Sequence, residues 1–152
     1  MKIRIIGGPG SGKSTLAGKL SAQYGIPCYD LDELQWDNAA PLYGTKRDPR
    51  ERDALLDGIL RQDDWIVEGV YYAWCGRSFA DADRIFLLSV PRRVYRSRIL
   101  RRFIKRKLAP EKGKKETLRS LAALLKWADT YQRRNLPEIR RILEAYPDKV
   151  IK

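Results

Sequence analysis

Histidine is absent from this chain of 152 residues, and cysteine occurs only twice. Without histidine there is no Ser-His-Asp hydrolase, no imidazole base and no histidine-ligated metal, so any general base is an aspartate or a glutamate. Cys28 and Cys75 lie far apart with no CxxC spacing. They argue against a disulfide framework or a zinc site, and for two packed thiols in a reducing cytoplasm. Apolar runs are short: none nears the ~20 residues of a membrane span, so no membrane partner is expected. The first strand-like run begins at Lys2, which leaves no room for a signal peptide ahead of it.

Acidic residues are scarce in the second part of the chain. Residues 1–91 hold 11 basic and 13 acidic side chains, a net of −2, whereas residues 92–152 hold 20 and 6, a net of +14. From Arg92 to Lys107 there are nine basic residues and no acid. Such an imbalance implies an anionic partner, from a pair of nucleotides up to a nucleic acid. The apolar content of 43 % is enough for the core of one domain of ordinary size.

The most informative run is Gly7-Gly8-Pro9-Gly10-Ser11-Gly12-Lys13-Ser14-Thr15, which satisfies G-x-x-x-x-G-K-[ST]. Lys2 to Ile6 reads as a short buried strand before it. Thr15 to Tyr24 reads as the helix after it, with Leu16, Leu20 and Tyr24 on one face. Glycines let the backbone bend tightly, so that loop N–H groups and the helix N-terminus point at phosphate oxygens. Lys13 then reaches the β- and γ-phosphates, and the Ser14 hydroxyl is placed to ligate Mg²⁺. The nucleotide implied is ATP.

Further along, Ile26 to Tyr29 reads as a strand, and Asp30 and Asp32 share one side of the extended segment that leaves it. Residues 36–47 are irregular. Asp48-Pro49-Arg50-Glu51 starts a helix to about Arg61 that buries Leu55, Leu56, Ile59 and Leu60. Trp65 to Glu68 and Arg84 to Val90 are two more strands. Pro91 opens a basic helix with an apolar stripe of Tyr95, Ile99, Leu100, Phe103, Ile104 and Leu108. Ala109 to Lys115 is a break. A helix follows from about Glu116 to Tyr131 on Leu118, Leu121, Leu125 and Ala128. Another begins near Pro137 and buries Ile139, Ile142, Leu143 and Tyr146. Lys149 to Lys152 is a short last strand. The alternation predicts an α/β fold: a parallel sheet, five strands in all, with helices on both faces. The Gly7 loop, Asp30/Asp32, Glu68 and the Pro91 turn all fall at carboxyl ends of strands, where one cleft is expected.

In this order, the P-loop and then Tyr131-x5-Pro137 resemble the adenylate-kinase-like P-loop kinases. Ile6 to Leu16, Tyr29-Asp-Leu-Asp-Glu-Leu34, Trp65-Ile-Val-Glu-Gly69, Ala82-Asp83 and Ile85 to Pro91 are similar to the FlaR-like branch, the DNA topology modulation proteins. That branch usually shows Asp-Gly-Asn-Tyr after the third strand; here it is Glu68-Gly69-Val70-Tyr71. The resemblance implies a single P-loop kinase-like domain over residues 1–152. It also implies a three-layer α/β/α fold with a short helical lid at about residues 98–134. It places an aspartate, Asp32 in preference to Asp30, near the acceptor and the metal. It further places Arg98 and Arg102 of the lid helix, then Arg133 and Arg134, on the transferred phosphates. Guanidinium suits that work, being planar, always charged and bidentate.

Glu68 ends the third strand beside the P-loop strand. It is a candidate for holding a Mg²⁺ water or for taking the acceptor proton, against the plainer role of a strand-end ion pair. Arg77, between the third and fourth strands, is a candidate for contact with an acceptor phosphate. Among the tryptophans, Trp65 and Trp127 are expected in the core, whereas Trp36 and Trp74 lie in loops near the cleft. The expected activity is ATP/Mg-dependent phosphoryl transfer to a nucleotide or another small acceptor, of the nucleoside monophosphate kinase type. The alternative is a nucleic-acid-binding P-loop ATPase or regulator that uses basic residues 92–107.

Overall fold

The computed structural model describes residues 1–37, 39–40, 44–108 and 117–151. Five strands, β1 (Lys2–Gly7), β2 (Cys28–Asp30), β3 (Trp65–Gly69), β4 (Arg84–Leu88) and β5 (Val150–Ile151), pair in the order β2-β3-β1-β4-β5, all parallel. The P-loop strand β1 is therefore central. It lies between β3 and β4; the chain leaves β1 for β2 on one side and crosses from β3 to β4 on the other, so the carboxyl end of β1 opens on the crevice in which open parallel sheets bind ligands.

Alternation along the strands sorts the core onto two faces. Ile3, Ile5 and Ile66 face one way and meet Ala17, Leu16 and Leu20 of α1 (Lys13–Tyr24). Ile6, Trp65, Val67 and Ile85 face the other way. They meet Leu56, Ile59 and Leu60 of α3 (Pro49–Leu60) and Ile139 and Leu143 of α7 (Leu136–Leu143). The fold is thus three-layered, α/β/α, as the alternation of elements predicts. Tyr24 (44 % exposed), the last residue of α1, and Leu55 (44 %) do not join these faces. The start of α3 follows its sequence signal: the Asp48 side chain accepts from the N–H groups of Arg50 and Glu51, with Pro49 in the first turn.

The chain after β2 departs from expectation. Asp30 and Asp32 do not lie along an extended segment. Asp30 caps a one-turn helix, α2 (Leu31–Gln35), its Oδ1 accepting from the Asp32 N–H at 2.8 Å. An aspartate at the cap satisfies an end N–H that would otherwise be orphaned. Farther on, Arg77 lies in α4 (Arg77–Ala80). Cys75 is buried, but Cys28 is exposed rather than packed.

In α5 (Arg92–Leu108) only Tyr95, Ile99 and Phe103 are buried; Leu100, Ile104 and Leu108 are exposed. The face that docks is one i, i+4 row, narrower than the expected stripe. α6 (Leu118–Thr130) likewise leaves Leu118 exposed and buries Ala128, with Leu121, Leu124 and Leu125 half-buried. The helix does not stop before Pro137. It passes through a π-helical turn, Tyr131–Asn135, directly into α7. The wider turn inserts one residue, so the buried row runs Tyr131, Leu136, Ile139 and Leu143, with a step of five at the turn. Trp127 is 44 % exposed, edge-on to Tyr131, and not in the core. The expected break at Ala109 to Lys115, with Pro110 and Gly113, lies outside the described residues, as do Pro41 and Lys152.

Candidate phosphate-binding site

The loop from Gly7 to Gly12 turns beneath α5 and the π-turn. Gly10 takes a left-handed φ of 72°, and a Cβ there would come within 2.7 Å of the Tyr95 carbonyl of α5. A Cβ on Gly8 would meet the Tyr131 ring at 2.9 Å. Both glycines therefore serve close approach, and Gly10 backbone freedom as well. The Tyr131 hydroxyl passes beyond the loop and donates to the Val70 carbonyl at 2.8 Å, which ties the π-turn to the segment after β3. Tyr131 stood in the sequence as part of a spaced pair with Pro137, but nothing in that spacing foretold the contact.

At the start of α1, the Ser14 hydroxyl donates to Glu68 Oε1 at 2.5 Å. Lys13 Nζ lies 4.0 Å from Glu68 Oε2. Glu68 is only 3 % exposed, and its Oε2 has no hydrogen-bond partner among the described residues. Burial lowers the Lys13 pKa from its ordinary value, an effect that the Glu68 charge opposes. These atoms suit Mg²⁺. Two hard oxygens stand together, one carboxylate oxygen is left over, and the ion takes few protein ligands because it keeps phosphate oxygens and water. Among the described residues no group of three or more acidic or cysteine side chains gathers as a metal cage.

Two clefts open from this corner. The first, about 600 Å³, runs along Gly10 to Leu16 and under Arg98, Ile99 and Arg102 of α5. The second, about 720 Å³, shares Lys13, Ser14 and Arg102 with the first and continues past Glu68, Asp30, Asp32, Glu33, Trp36 and Arg106. Asp30 is pushed up to about 6, chiefly by burial and further by the nearby Glu68 carboxylate. The Tyr71 hydroxyl donates to Asp32 Oδ1 at 2.7 Å, and burial together with that bond raises the tyrosine's pKa. The sequence carried no sign of this pair, because Tyr71 and Asp32 are 39 residues apart.

A buried cation also escaped the sequence reading. Arg4 in β1 is fully buried, and its guanidinium donates to the carbonyls of Ile5 (2.7 Å), Val67 (3.2 Å) and Tyr71 (2.7 Å), over the Phe79 ring. Arginine at an inward position of a central strand satisfies carbonyls that no apolar residue would. It thereby anchors the loop that carries Tyr71.

The arginines of α5 separate by role. Arg98 donates to the carbonyls of Gly10 (3.3 Å) and Ser11 (2.9 Å), and Arg102 lines both clefts. Arg92 and Arg96 instead meet Asp129 of α6, which also accepts from the Tyr95 hydroxyl at 2.5 Å. The Arg92 hydrogen bond, first among these, holds the Asp129 carboxyl down at about 2. Arg133 donates to the Asp129 carbonyl and lines a separate cavity beside Pro91 and Arg92, so the Pro91 turn opens there and not into the P-loop cleft. Arg134 lies exposed on the π-turn and does not line the clefts described. Arg77 is ion-paired with Asp57 (2.6 Å) and Asp81 (3.3 Å), away from both clefts.

A parallel five-stranded sheet with this phosphate loop after its central strand and a helix roofing the loop defines the fold of the P-loop kinases. No protein-family model matches the chain. In sequence it is adenylate-kinase-like. It is 35 % identical over 88 residues to an adenylate kinase of Magnetococcus marinus, covering 58 % of this chain and 39 % of that protein. It is 33 % identical over 67 residues to one of Kosmotoga olearia, covering 44 % and 30 %. The chain thus spans well under half the length of these curated relatives. In structure it is similar to a candidate fructose transport system kinase of Silicibacter sp., with a TM-score of 0.60 at 19 % identity over 91 % of this chain and 84 % of that one. Shikimate kinase of Aquifex aeolicus superposes with a TM-score of 0.52 at 17 % identity, over 95 % and 96 %.

Proposed function

We propose that the chain is an ATP- and Mg²⁺-dependent phosphotransferase that moves the γ-phosphoryl group of ATP to a hydroxyl of a small acceptor. We read it as one domain over residues 1–152, with a lid at about residues 98–134. The carrying observation is the meeting of Lys13, Ser14 and Glu68 at one corner, with Asp30 and Asp32 along the same cleft. The N–H groups of residues 7–15, all but Pro9, with the α1 N-terminus bind the β- and γ-phosphates, and Lys13 adds its charge there. Ser14 and Glu68 would hold Mg²⁺, with Asp32 near it; bound there, the ion neutralises charge on the phosphates. Arg98 and Arg102 close over the phosphoryl group in transit and offset its charge.

Asp32 is the acceptor base. Glu68 is taken up by Ser14 through one oxygen and would give the other to Mg²⁺, whereas Asp32 keeps one oxygen for the acceptor after Tyr71 has bonded the other. The acceptor oxygen attacks the γ-phosphorus, the bond to the bridging oxygen breaks, ADP leaves, and the hydroxyl proton passes to Asp32. Arg77, Arg133 and Arg134 take no part in this scheme. The described residues form no helix long and apolar enough to cross a membrane, and the free thiols of Cys28 and Cys75 suit a reducing cytoplasm.

The test is incubation with Mg·ATP and a panel of nucleosides, nucleotides, sugars and nucleic acids, followed by product analysis. A phosphorylated small molecule is the expected result. ATP turnover that rises only with DNA or RNA, with no phosphorylated product, would overturn the proposal.

A further inference from the structure

Asp32 and Trp36 stand one turn apart at α2, and the Trp36 backbone N–H donates to the Asp32 carbonyl at 3.0 Å. Side chains four residues apart share a face, and here both line the second cleft. Tyr71 reaches that face from the segment after β3. Its hydroxyl donates to Asp32 Oδ1 at 2.7 Å and takes a hydrogen bond from the Trp36 side chain. The directions are fixed by chemistry. An indole N–H only donates, an ionised carboxylate only accepts, and the hydroxyl has one proton to give. That proton is committed to Oδ1, so Oδ2 is the oxygen left to receive a proton from the acceptor.

The segment that carries Tyr71 is tied at each residue from Val70 to Tyr72. The Val70 carbonyl accepts from Tyr131. The Tyr71 carbonyl accepts from the buried Arg4 at 2.7 Å and from the Cys75 thiol at 3.1 Å. The Tyr72 hydroxyl donates to Glu138 Oε2 at 2.7 Å and accepts from Asn135 Nδ2 at 3.1 Å. The Tyr71 ring packs against Trp74, with centroids 5.5 Å apart. Its hydroxyl is thus delivered to one place. Asp32, by contrast, is an exposed side chain on a helix of five residues, and Asp30 holds only its backbone N–H. Its carboxylate turns among rotamers unless a partner fixes it. We propose that Tyr71 is the positioning residue of the acceptor base. It holds the Asp32 carboxylate so that Oδ2 faces the acceptor hydroxyl, and Trp36 orients the tyrosine in turn. The inference rests on Asp32 as base in the phosphotransferase reading and adds the residues that aim it. A base held in line raises the rate of transfer and leaves ATP affinity to the P-loop.

Hydrolysis of Mg·ATP tests this without knowledge of the acceptor, because water takes its place. The water oxygen attacks the γ-phosphorus, ADP leaves, and the water proton passes to Asp32. Initial rates of phosphate release from radiolabelled ATP give kcat and KM. Tyr71→Phe keeps the ring beside Trp74 and should lower kcat about tenfold, with KM for ATP within about twofold of wild type. Trp36→Phe keeps an apolar wall and should lower kcat about threefold. Asp32→Asn should lower it about a hundredfold. The double variant Tyr71→Phe/Asp32→Asn should be no slower than Asp32→Asn alone, because the tyrosine acts through the carboxylate. Independent effects that multiply to about a thousandfold overturn the inference, since the tyrosine then acts on the fold or the substrate directly. A wild-type kcat in Tyr71→Phe overturns it as well, as does a loss confined to KM. A wild-type rate in Trp36→Phe overturns the part given to the tryptophan. A wild-type rate in Asp32→Asn removes the base, and the inference with it. A separate outcome, hydrolysis unchanged in Lys13→Ala, overturns the phosphotransferase reading itself.

Discussion

The P-loop and the basic helix α5 face each other across the same phosphate-sized space, yet they are specified differently. In the loop every residue is placed by its neighbours in sequence: a strand, a tight turn and a helix start leave Lys13 and Ser14 only one corner to occupy. In α5 the nine basic side chains are alike in sequence and are told apart only by what the helix packs against. The row of Tyr95, Ile99 and Phe103 faces inward, and this turns Arg98 and Arg102 to the loop and leaves Arg92 and Arg96 to Asp129. A local motif thus carries its own geometry, whereas a charged helix acquires meaning from its dock.

The largest expected effect lies on the loop side. Lys13→Ala should lower ATP turnover by about 10²–10³-fold, the loss typical of a positioned electrostatic group, as read by coupled-enzyme kinetics. Full turnover in that variant would remove the loop from the chemistry. On the helix side the prediction is a contrast between two arginines. Arg98→Ala removes charge-assisted contacts to the loop carbonyls and should weaken nucleotide binding by about tenfold in a fluorescence titration. Arg93→Ala, on an exposed stretch of the same helix, should leave it within about twofold. Equal effects would mean that α5 acts as a diffuse field and not through named contacts.

Smaller effects test how the two regions are joined. Tyr131→Phe leaves the buried Val70 carbonyl without its donor, at a cost of about 1–3 kcal/mol in urea denaturation. A stability equal to wild type would show that the π-turn holds the loop by ring packing alone. The smallest effect is a pH dependence. The folded chain holds the Asp30 proton up to about 6 against an ordinary value of 3.8, so ionisation costs stability as pH rises between those values. The variant Asp30→Asn carries no such charge, and an asparagine side chain still caps α2. Its thermal midpoint should therefore gain on wild type across that window and keep the advantage above it. Parallel pH profiles for the two proteins would place the Asp30 carboxyl in an ordinary environment.

Much of this architecture was legible in advance because it depends on period and punctuation. The strands, the Asp48-Pro49 helix start and the glycine loop are short-range statements, and each holds in the structure. Glu68 was legible as a strand-end carboxylate beside β1, but its bond to Ser14 was not. The expectations that failed are those that needed a partner from elsewhere. Leu55, Leu100 and Leu118 have apolar side chains at helical spacing, but none of the described residues covers them. Arg77 and Arg133 were placed by order along the chain, and carboxylate or carbonyl groups of other turns claimed them. The π-turn gave no sequence signal, because one inserted residue changes which face points inward without altering composition.

By itself the sequence determined an α/β chain with one phosphate-binding corner, since glycine spacing and strand–helix alternation act through covalent neighbours. Only the tertiary structure decided which arginines reach that corner, that Tyr131 and the buried Arg4 brace it, and that Tyr71 meets Asp32. Charge and hydrogen bonding act through space, and the distances that govern them exist only once the sheet has brought distant residues together.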